Sequence, residues 1–336
     1  MSIKKIIIDS VEAGRKGENK GYKTGINKLD EIIHNFRKST YLLIGGTSGT
    51  GKTLTADRII VSLLEQTKAV EINYYSLEIG PDRKFADLFS AYIKKKHGKD
   101  IPVKKLYGLG ENQLLDDEYR LINANIDAFS ELYNRISFKF YSELQVTTFE
   151  DELNDILLKN GDLSHGKELI YKQKNNKFLV TVIDHLSLVN DGTSDMNKKQ
   201  MDDISNTIKK YRNATKMSFI VTQQLGDGLE QQAKTKKPSE LERIVVGNSD
   251  LRDTRNSYHD CDIAILMFKP NKLSIEKWFK YTVTKNFVAA YVAKNRDGDT
   301  AILPMLEKGA YGVINSIDID ADNYNLKREE YYKQLK

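Results

Sequence analysis

The chain has 336 residues, 40% of them hydrophobic, and its 52 basic and 47 acidic side chains give a formal net charge of +5. A single cysteine, Cys261, excludes an internal disulfide framework and a cysteine-rich zinc site, so we expect a cytoplasmic protein. No apolar stretch approaches the roughly 18 residues of a membrane span, and no signal peptide is predicted. The length suffices for one large α/β domain or two small ones, and the small positive charge only weakly indicates an acidic partner.

The N-terminal part predicts a βαβ unit after a short arm. Residues 1–20 combine the apolar triplet Ile6–Ile8 with a polar stretch, and they resemble an arm or linker more than core. The apolar run Tyr41–Ile44 predicts the first strand, helical spacing of apolar residues predicts a helix over Leu54–Glu65, and Val70–Leu77 predicts the next strand. This order favours a parallel sheet.

The rest of the chain continues the alternation of helices and strands. The pattern from Asp82 to Leu158 is mostly helical, and its last helix is bounded by a capping box at Thr147–Glu150 and by Gly161. Further elements are predicted as a strand at 178–184, a helix at 202–213 and strands at 218–222, 263–268, 287–293 and 301–306. Residues 317–336 are charged, and we expect a peripheral tail.

A glycine-rich segment between the first strand and the first long helix is the most specific motif. It reads Gly46-Thr47-Ser48-Gly49-Thr50-Gly51-Lys52-Thr53, the pattern of a phosphate-binding loop. Glycines let the backbone curl so that successive N–H groups point at a β-phosphate, while Lys52 adds a positive charge and the Thr53 hydroxyl can bind Mg²⁺. The chain is therefore predicted to bind a nucleoside triphosphate, with Mg²⁺.

Polar side chains end three predicted strands, at the edge where ligand sites of α/β sheets lie. Asp184 ends a buried strand and is predicted to complete the Mg²⁺ shell beside Thr53. Glu78 ends another strand and is predicted to orient and deprotonate the water that attacks the γ-phosphate. Gln224, with Gln223, ends a third strand, where an uncharged amide can sense the γ-phosphate.

Taken together, these motifs resemble the DnaB-type replicative helicases of superfamily 4 over roughly residues 21–312. The matching segments are, in chain order, Thr24–Asp30, Gly46–Thr53, Ser76–Glu78, Val182–Leu186, Gln224–Leu225, Asp250–Asp262 and Ala293–Gly298. The resemblance implies an α/β fold, a RecA-like P-loop NTPase with a mostly parallel central sheet flanked by helices, in a motor domain at 21–316. It also implies an ATP-dependent DNA helicase or single-strand translocase that acts in replication with 5′–3′ polarity. We expect a compact version without the N-terminal primase-binding domain, of the kind that phages encode.

Two cations, Lys294 and Arg296, lie two positions apart on a predicted strand and should therefore point to the same side. They match the lysine and the arginine finger that, in the resembled family, reach into the ATP site of the neighbouring subunit. An arginine supplied in trans accelerates phosphoryl transfer by orders of magnitude. The resemblance thus implies ATP hydrolysis between subunits of a homo-oligomeric ring, hexameric by family analogy.

Eight residues are candidates for contact with single-stranded DNA. In the family, two loops line the ring channel and a third segment touches the DNA backbone. The candidates in the two loops are Lys198, Lys199, Lys234, Lys236 and Lys237, and those in the third segment are Arg252, Asp253 and Arg255. Cations there neutralise phosphates without reading sequence. Arg255 replaces a glycine usual in the family, and residues 240–247 are expected to be an insertion that lengthens one channel loop.

Two other functions stay open at this point. A RecA-like recombination ATPase would also bind ATP and single strands but would form filaments, and the segments at Asp250 and Lys294 favour the helicase. A KaiC-like nucleotide-gated assembly would turn over ATP slowly without moving nucleic acid, and stimulation of the ATPase by single-stranded DNA separates it from a motor. A primase or a helicase loader is a further expected partner.

Overall fold

A nine-stranded sheet, in the order β13-β12-β11-β8-β1-β7-β6-β2-β3, organises the part of the chain that the structure describes. The structure is a computed structural model that describes residues 3–166, 168–188, 197–226, 228–251 and 255–335, apart from the side chains of Ile6, Asn197 and Pro238. The strands are β1 (Tyr41–Gly46), β2 (Val70–Ser76), β3 (Ile136–Phe140), β4 (Gly161–His165), β5 (Leu169–Gln173), β6 (Phe178–Asp184), β7 (Ser218–Gln224), β8 (Ile263–Phe268), β9 (Lys277–Trp278), β10 (Tyr281–Thr282), β11 (Phe287–Asn295), β12 (Ala301–Lys308) and β13 (Val313–Ser316). The six strands from β8 to β3 in this order pair in parallel, and β11, β12 and β13 extend the sheet in antiparallel fashion.

Helices cover both faces of this sheet. They are α1 (Ile3–Arg15), α2 (Asn27–Ile33), α3 (Lys52–Gln66), α4 (Pro81–His97), α5 (Val103–Leu106), α6 (Asp116–Asn123), α7 (Ile126–Tyr133), α8 (Val146–Asn160), α9 (Asn197–Thr215), α10 (Gly228–Thr235), α11 (Pro238–Leu241), α12 (Asn256–Asp260) and α13 (Ala321–Gln334). Among the described residues, no helix combines the length and the apolar character needed to cross a membrane.

The central strands are buried at every position because helices cover both of their sides. Successive side chains of β1 point to opposite faces, so Tyr41 and Leu43 enter one hydrophobic core while Leu42 and Ile44 enter the other. This explains why the sequence shows β1 as a continuous apolar run rather than as an alternation. The predicted α/β architecture is confirmed.

The seven predicted strands and the helix after the glycine loop are all present, but some expectations were wrong. The predominantly helical stretch 82–158 contains β3, which pairs only with β2 at the sheet edge. The capping box at Thr147–Glu150 was misplaced, because α8 begins at Val146 and puts Thr147 inside its first turn. The helix predicted at 202–213 is longer and runs from Asn197 to Thr215.

The two ends of the chain are both helical and differ in packing. Helix α1 presents exposed apolar side chains at Ile3, Ile7 and Val11. The expectation of a peripheral tail at 317–336 was wrong, because α13 is docked on the domain and Tyr324 is fully buried. The Tyr324 ring lies 5.8 Å from that of Tyr281 and 6.3 Å from that of Phe287, so only the outer face of the helix is charged.

Replacing Tyr324 should show that the C-terminal helix contributes to folding. Tyr324→Ala removes a buried aromatic ring, and we expect it to lower the free energy of unfolding by about 3 kcal/mol in urea titrations. Leu326→Ala is the matched control on the same helix, because the Leu326 side chain is 83% exposed; its effect should stay below about 0.5 kcal/mol. Equal effects of the two substitutions would contradict the docking of α13.

Candidate functional site

The glycine loop joins β1, which ends at Gly46, to α3, which begins at Lys52. Gly49 and Gly51 have φ angles of +69° and +88°, in the left-handed region that favours glycine. At Gly46 a Cβ atom would clash with Oγ1 of Thr50, so a larger residue does not fit there. Glycine is thus required at these points by backbone conformation or by space, as the motif predicts.

Lys52 lies at the start of α3, with its ammonium folded over the loop. Its Nζ donates a hydrogen bond to the carbonyl oxygen of Thr47 at 3.2 Å. Burial lowers the pKa of Lys52, and the nearby carboxylates of Asp184 and Glu78 oppose that shift. The cation therefore lies in the electrostatic field of both predicted acidic residues.

Asp184 is almost fully buried at the end of β6, and three hydroxyl groups donate to its carboxylate. Oδ1 accepts from Thr53 at 3.1 Å and from Thr222 at 2.7 Å. Oδ2 accepts from the hydroxyl of Tyr74 at 3.0 Å. The structure therefore brings together Thr53 and Asp184, the two residues predicted to bind Mg²⁺, and their oxygen atoms are the ligand type that this ion prefers.

Glu78 lies at the same edge of the sheet, two residues beyond β2. The backbone N–H of Leu77 donates to the carbonyl of Asp184 at 2.8 Å, which holds the two strand ends together. The side chain of Glu78 is 56% exposed, and its Oε2 lies 3.6 Å from Nε2 of His185. Glu78 is thus held at the site by its backbone while its carboxylate faces solvent.

Gln224 lies beside the glycine loop, because the parallel register of β7 and β1 pairs it with Gly46. Its side chain is half-buried. The neighbouring Gln223 is buried and accepts a hydrogen bond from the hydroxyl of Ser257. The two glutamines at the end of β7 therefore have different surroundings, and Gln224 is the one beside the loop.

A buried lysine network behind Asp184 was missed by sequence reasoning. Nζ of Lys84 donates to the hydroxyl of Tyr74 at 2.6 Å and to Oδ1 of Asp57 at 2.6 Å. Lys84 belongs to α4 and Asp57 to α3. No pattern marks a lysine on an amphipathic helix as buried, because lysine at such positions is mostly exposed.

A second missed lysine, Lys272, contacts the glycine loop from the turn after β8. Its Nζ donates to the carbonyl of Ser48 at 2.9 Å, and its charge contributes to lowering the pKa of Lys52. This contact joins residues 224 positions apart in the chain. No local pattern could have indicated it.

Lys294 and Arg296 lie at the opposite edge of the sheet from the glycine loop. In the antiparallel pairing of β11 with β8, Lys294 is opposite Ala264, whereas Gly46 is paired with Met267 at the other end of β8. The backbone N–H of Arg296 donates to the carbonyl of residue 262, five positions before 267, which corresponds to about 16 Å along a strand.

Both cations point to the end of α12. Nζ of Lys294 donates to the carbonyls of Tyr258 and His259, at 2.7 and 2.8 Å. Nη2 of Arg296 is 3.5 Å from the carbonyl of His259, and its Nε is 3.5 Å from Oδ1 of Asp262. The two side chains therefore share one partner, as expected for cations that point to the same side.

The candidates for DNA contact are exposed where the structure describes them. Lys198 and Lys199 lie in the first turn of α9 rather than before the helix, and Arg255 directly precedes α12. Lys234 lies in α10, and Lys236 and Lys237 follow it. Arg252 and Asp253 lie outside the described residues.

The strand that carries Gln224 is connected directly to the segment before Arg252. Leu225 forms a bridge with Leu251, and the N–H of Gly226 donates to the carbonyl of Asp250 at 2.8 Å. Residues 240–247 are not a free loop extension, because Ile244 is buried and its carbonyl accepts from Nε1 of Trp278 at 2.7 Å. This contact anchors the segment to the hairpin β9–β10.

Comparison with known proteins gives a consistent result. The model of the DnaB-like helicase C terminal domain family matches residues 21–313. The replicative DNA helicase DnaC of Bacillus subtilis is 22% identical over 304 residues, which are 88% of this chain and 58% of that protein. The replicative DNA helicase DnaB of Helicobacter pylori is 22% identical over 261 residues, 77% of this chain and 46% of that protein. The chain thus spans about half the length of these curated relatives.

Solved structures show the same fold. One of them, an isolated ATPase domain, superposes with a TM-score of 0.72 at 19% identity, over 95% of this chain and 99% of that one. A DnaB-like replicative helicase, described together with its interactions with primase, gives 0.68 at 19% identity over 95% and 67%. A KaiC-like protein of Pyrococcus horikoshii gives 0.53 at 15% identity over 88% and 97%. The predicted RecA-like fold is confirmed, and since the family model covers most of the sequence, this chain belongs to the family of DnaB-like helicase C-terminal domains.

Proposed function

We propose that this chain is the ATP-hydrolysing motor of a replicative DNA helicase that moves along single-stranded DNA. One observation carries the proposal: Lys52, Thr53, Asp184 and Glu78 meet at one edge of the sheet, and the paired cations Lys294 and Arg296 lie at the opposite edge. Such an arrangement supplies half of a reaction centre at each edge, and family membership supports the assignment.

In this proposal the glycine loop, Gly46–Thr53, binds the phosphates of ATP through its backbone N–H groups and Lys52. Thr53 and Asp184 would hold Mg²⁺, which neutralises charge on the phosphate oxygens when bound. Glu78 orients the attacking water and accepts its proton. Gln224, beside Gly46, contacts the γ-phosphate through its neutral amide.

Lys294 and Arg296 act in trans in this proposal. Their positions about 16 Å along the sheet from the glycine loop exceed the reach of an arginine or lysine side chain, so they cannot serve the loop of their own chain. A neighbouring copy in a closed ring brings its cations to the γ-phosphate, where they stabilise developing negative charge. Six copies are expected by family analogy.

Contact with DNA is assigned to the exposed cations around the end of β7. The bonds between residues 225–226 and 250–251 give Gln224 a direct route to the Arg252 segment, so a change at the γ-phosphate can shift the DNA-binding residues. The proposed DNA contacts are Lys198, Lys199, Lys234, Lys236, Lys237, Arg252, Asp253 and Arg255. Because they are mostly cations, they would bind any sequence.

The remaining assignments are family-based proposals. We assign 5′–3′ polarity and, as a partner, a primase or a helicase loader. The exposed apolar side of α1, at Ile3, Ile7 and Val11, supports the docking of this arm on a neighbouring subunit. Location in the cytoplasm and a phage origin stay predictions.

ATPase assays and electron microscopy with single-stranded oligonucleotides test the function. We expect single-stranded DNA to stimulate ATP hydrolysis and closed rings to form with an ATP analogue. Replacing Lys234, Lys236 and Lys237 by alanine should reduce the slope of log affinity against log salt by about 2, since each lost phosphate contact removes about 0.7.

A variant with alanine at Lys172, Lys174 and Lys177 is the matched control for this experiment. It loses the same charge from the hairpin β4–β5 and the residues that follow it. Its salt dependence should equal that of the unmodified chain. Filaments in place of rings would favour a recombination ATPase, and an ATPase that ignores DNA would favour a nucleotide-gated assembly.

A further inference from the structure

The carboxylate of Asp184 rests on a buried ion pair that belongs to neither the glycine loop nor the strand ends. Lys84 and Tyr74 are fully buried, and Asp57 is nearly so. Lys84 contacts both of the others at 2.6 Å, and Tyr74 in turn contacts Asp184 at 3.0 Å. Four side chains from α3, α4, β2 and β6 therefore form one continuous network.

The direction of each hydrogen bond in this network is set by the lysine. An ammonium group has only donors, so Lys84 must donate to the hydroxyl oxygen of Tyr74. The tyrosine proton is then directed to its other neighbour, Oδ2 of Asp184. Without Lys84 that hydroxyl could turn and accept or donate elsewhere, whereas with Lys84 it is a fixed donor to the carboxylate.

Asp57 supplies the charge that allows a lysine to remain in this position. Burial raises the pKa of Asp57 to about 6, and the Lys84 ammonium opposes the shift, so the carboxylate is ionised at neutral pH. Replacing a buried ion pair by apolar side chains is often neutral or stabilising for a fold. A requirement for stability alone therefore does not account for this pair.

The pair also connects the two segments that carry the proposed chemistry. Asp57 lies five residues after Lys52 on α3. Lys84 lies in the first turns of α4, which begins three residues after Glu78. A shift of either helix would change the contact that orients Tyr74, and through it the carboxylate of Asp184.

We propose that Lys84, Asp57 and Tyr74 are positioning residues that fix the orientation of Asp184 for metal binding. The inference rests on the proposed function, because it assigns to Asp184 and Thr53 the binding of Mg²⁺. The hydroxyl of Tyr74 occupies Oδ2, so that Oδ1 stays directed to Thr53. None of the three residues touches the nucleotide in this arrangement.

Tyr74→Phe tests the proposal because it removes only the hydroxyl group. The readout is the affinity for a fluorescent ADP analogue, measured at equilibrium with Mg²⁺ and with EDTA. We expect the ratio of the two dissociation constants to fall about tenfold, the typical effect of losing a hydrogen bond to a charged group. The affinity in EDTA should stay within about twofold, since the phosphate contacts of the loop remain.

Tyr75→Phe is the matched control. Tyr75 is the next residue of β2, is also buried, and packs on the other face of the sheet against Phe149, with ring centroids 5.4 Å apart. Its substitution should leave the Mg²⁺ dependence unchanged. A second test replaces the ion pair as a unit, with Lys84→Met and Asp57→Leu together, which frees the Tyr74 hydroxyl and should reproduce the effect of Tyr74→Phe.

The outcomes separate this inference from the proposed function. If Tyr74→Phe retains the Mg²⁺ dependence of the unmodified chain while both hydrolyse ATP with DNA, the positioning role is overturned and the motor stands. If the unmodified chain itself binds the ADP analogue equally with and without Mg²⁺, the metal assignment fails and the inference fails with it. If the double variant does not fold in thermal unfolding measurements, Tyr74→Phe alone decides.

Discussion

Glu78→Gln is expected to retain ATP binding and to lower the rate of hydrolysis by about 10²- to 10⁴-fold. The amide keeps the size of the side chain but cannot accept a proton from the attacking water. Glu78 is 56% exposed, and its ion pair with His185 is long at 3.6 Å, so the fold does not depend on its charge. Single-turnover hydrolysis and equilibrium binding of ATP, measured on the same preparation, separate the two effects.

Asp82→Asn is the matched control for this prediction. Asp82 lies four residues after Glu78, at the exposed start of α4, and the substitution removes the same charge. Its hydrolysis rate should stay close to that of the unmodified chain. Loss of ATP binding in Glu78→Gln would instead place this residue in the structure of the site, and an unchanged rate would exclude it as the base.

The parts of the site that the sequence predicts are those determined by local pattern. The glycine loop is recognisable because backbone conformation dictates residue type at Gly49 and Gly51, whatever the rest of the fold does. Asp184 and Glu78 are recognisable because a long apolar run ends in a carboxylate, and parallel strands bring their carboxyl ends to one edge. The prediction that Thr53 and Asp184 lie together follows from those two facts, and their oxygen atoms are 3.1 Å apart.

The parts that the sequence does not predict depend on contacts between distant segments. Lys84 is buried only because Asp57 and Tyr74 meet it from two other elements. The docking of α13 depends on Tyr281 and Phe287, far away in the chain, and its charged composition hides the buried face. The separation of Arg296 from the glycine loop follows from the register of β11 on β8, which no single strand specifies.

That separation leads to the second large prediction. Arg296→Ala should bind ATP normally and lose about 10³-fold or more in DNA-stimulated hydrolysis, the usual contribution of an arginine finger. Lys52→Ala should lose hydrolysis because its own loop cannot hold the phosphates. Mixing the two variants should restore activity, since Lys52 of an Arg296→Ala subunit and Arg296 of a Lys52→Ala subunit complete one centre at a shared interface.

The extent of this recovery is set by random mixing. In equimolar rings about one interface in four combines an intact loop with an intact arginine from its neighbour. The control mixes Arg296→Ala with a chain that carries both Arg296→Ala and Lys52→Ala, which forms the same rings but offers no intact arginine, so no recovery is expected. Mixed rings, verified by native mass spectrometry, that stay inactive would count against a finger in trans. So would a dilute monomer that hydrolyses ATP at the full rate, because the loop and Arg296 of one chain lie at opposite edges of its sheet.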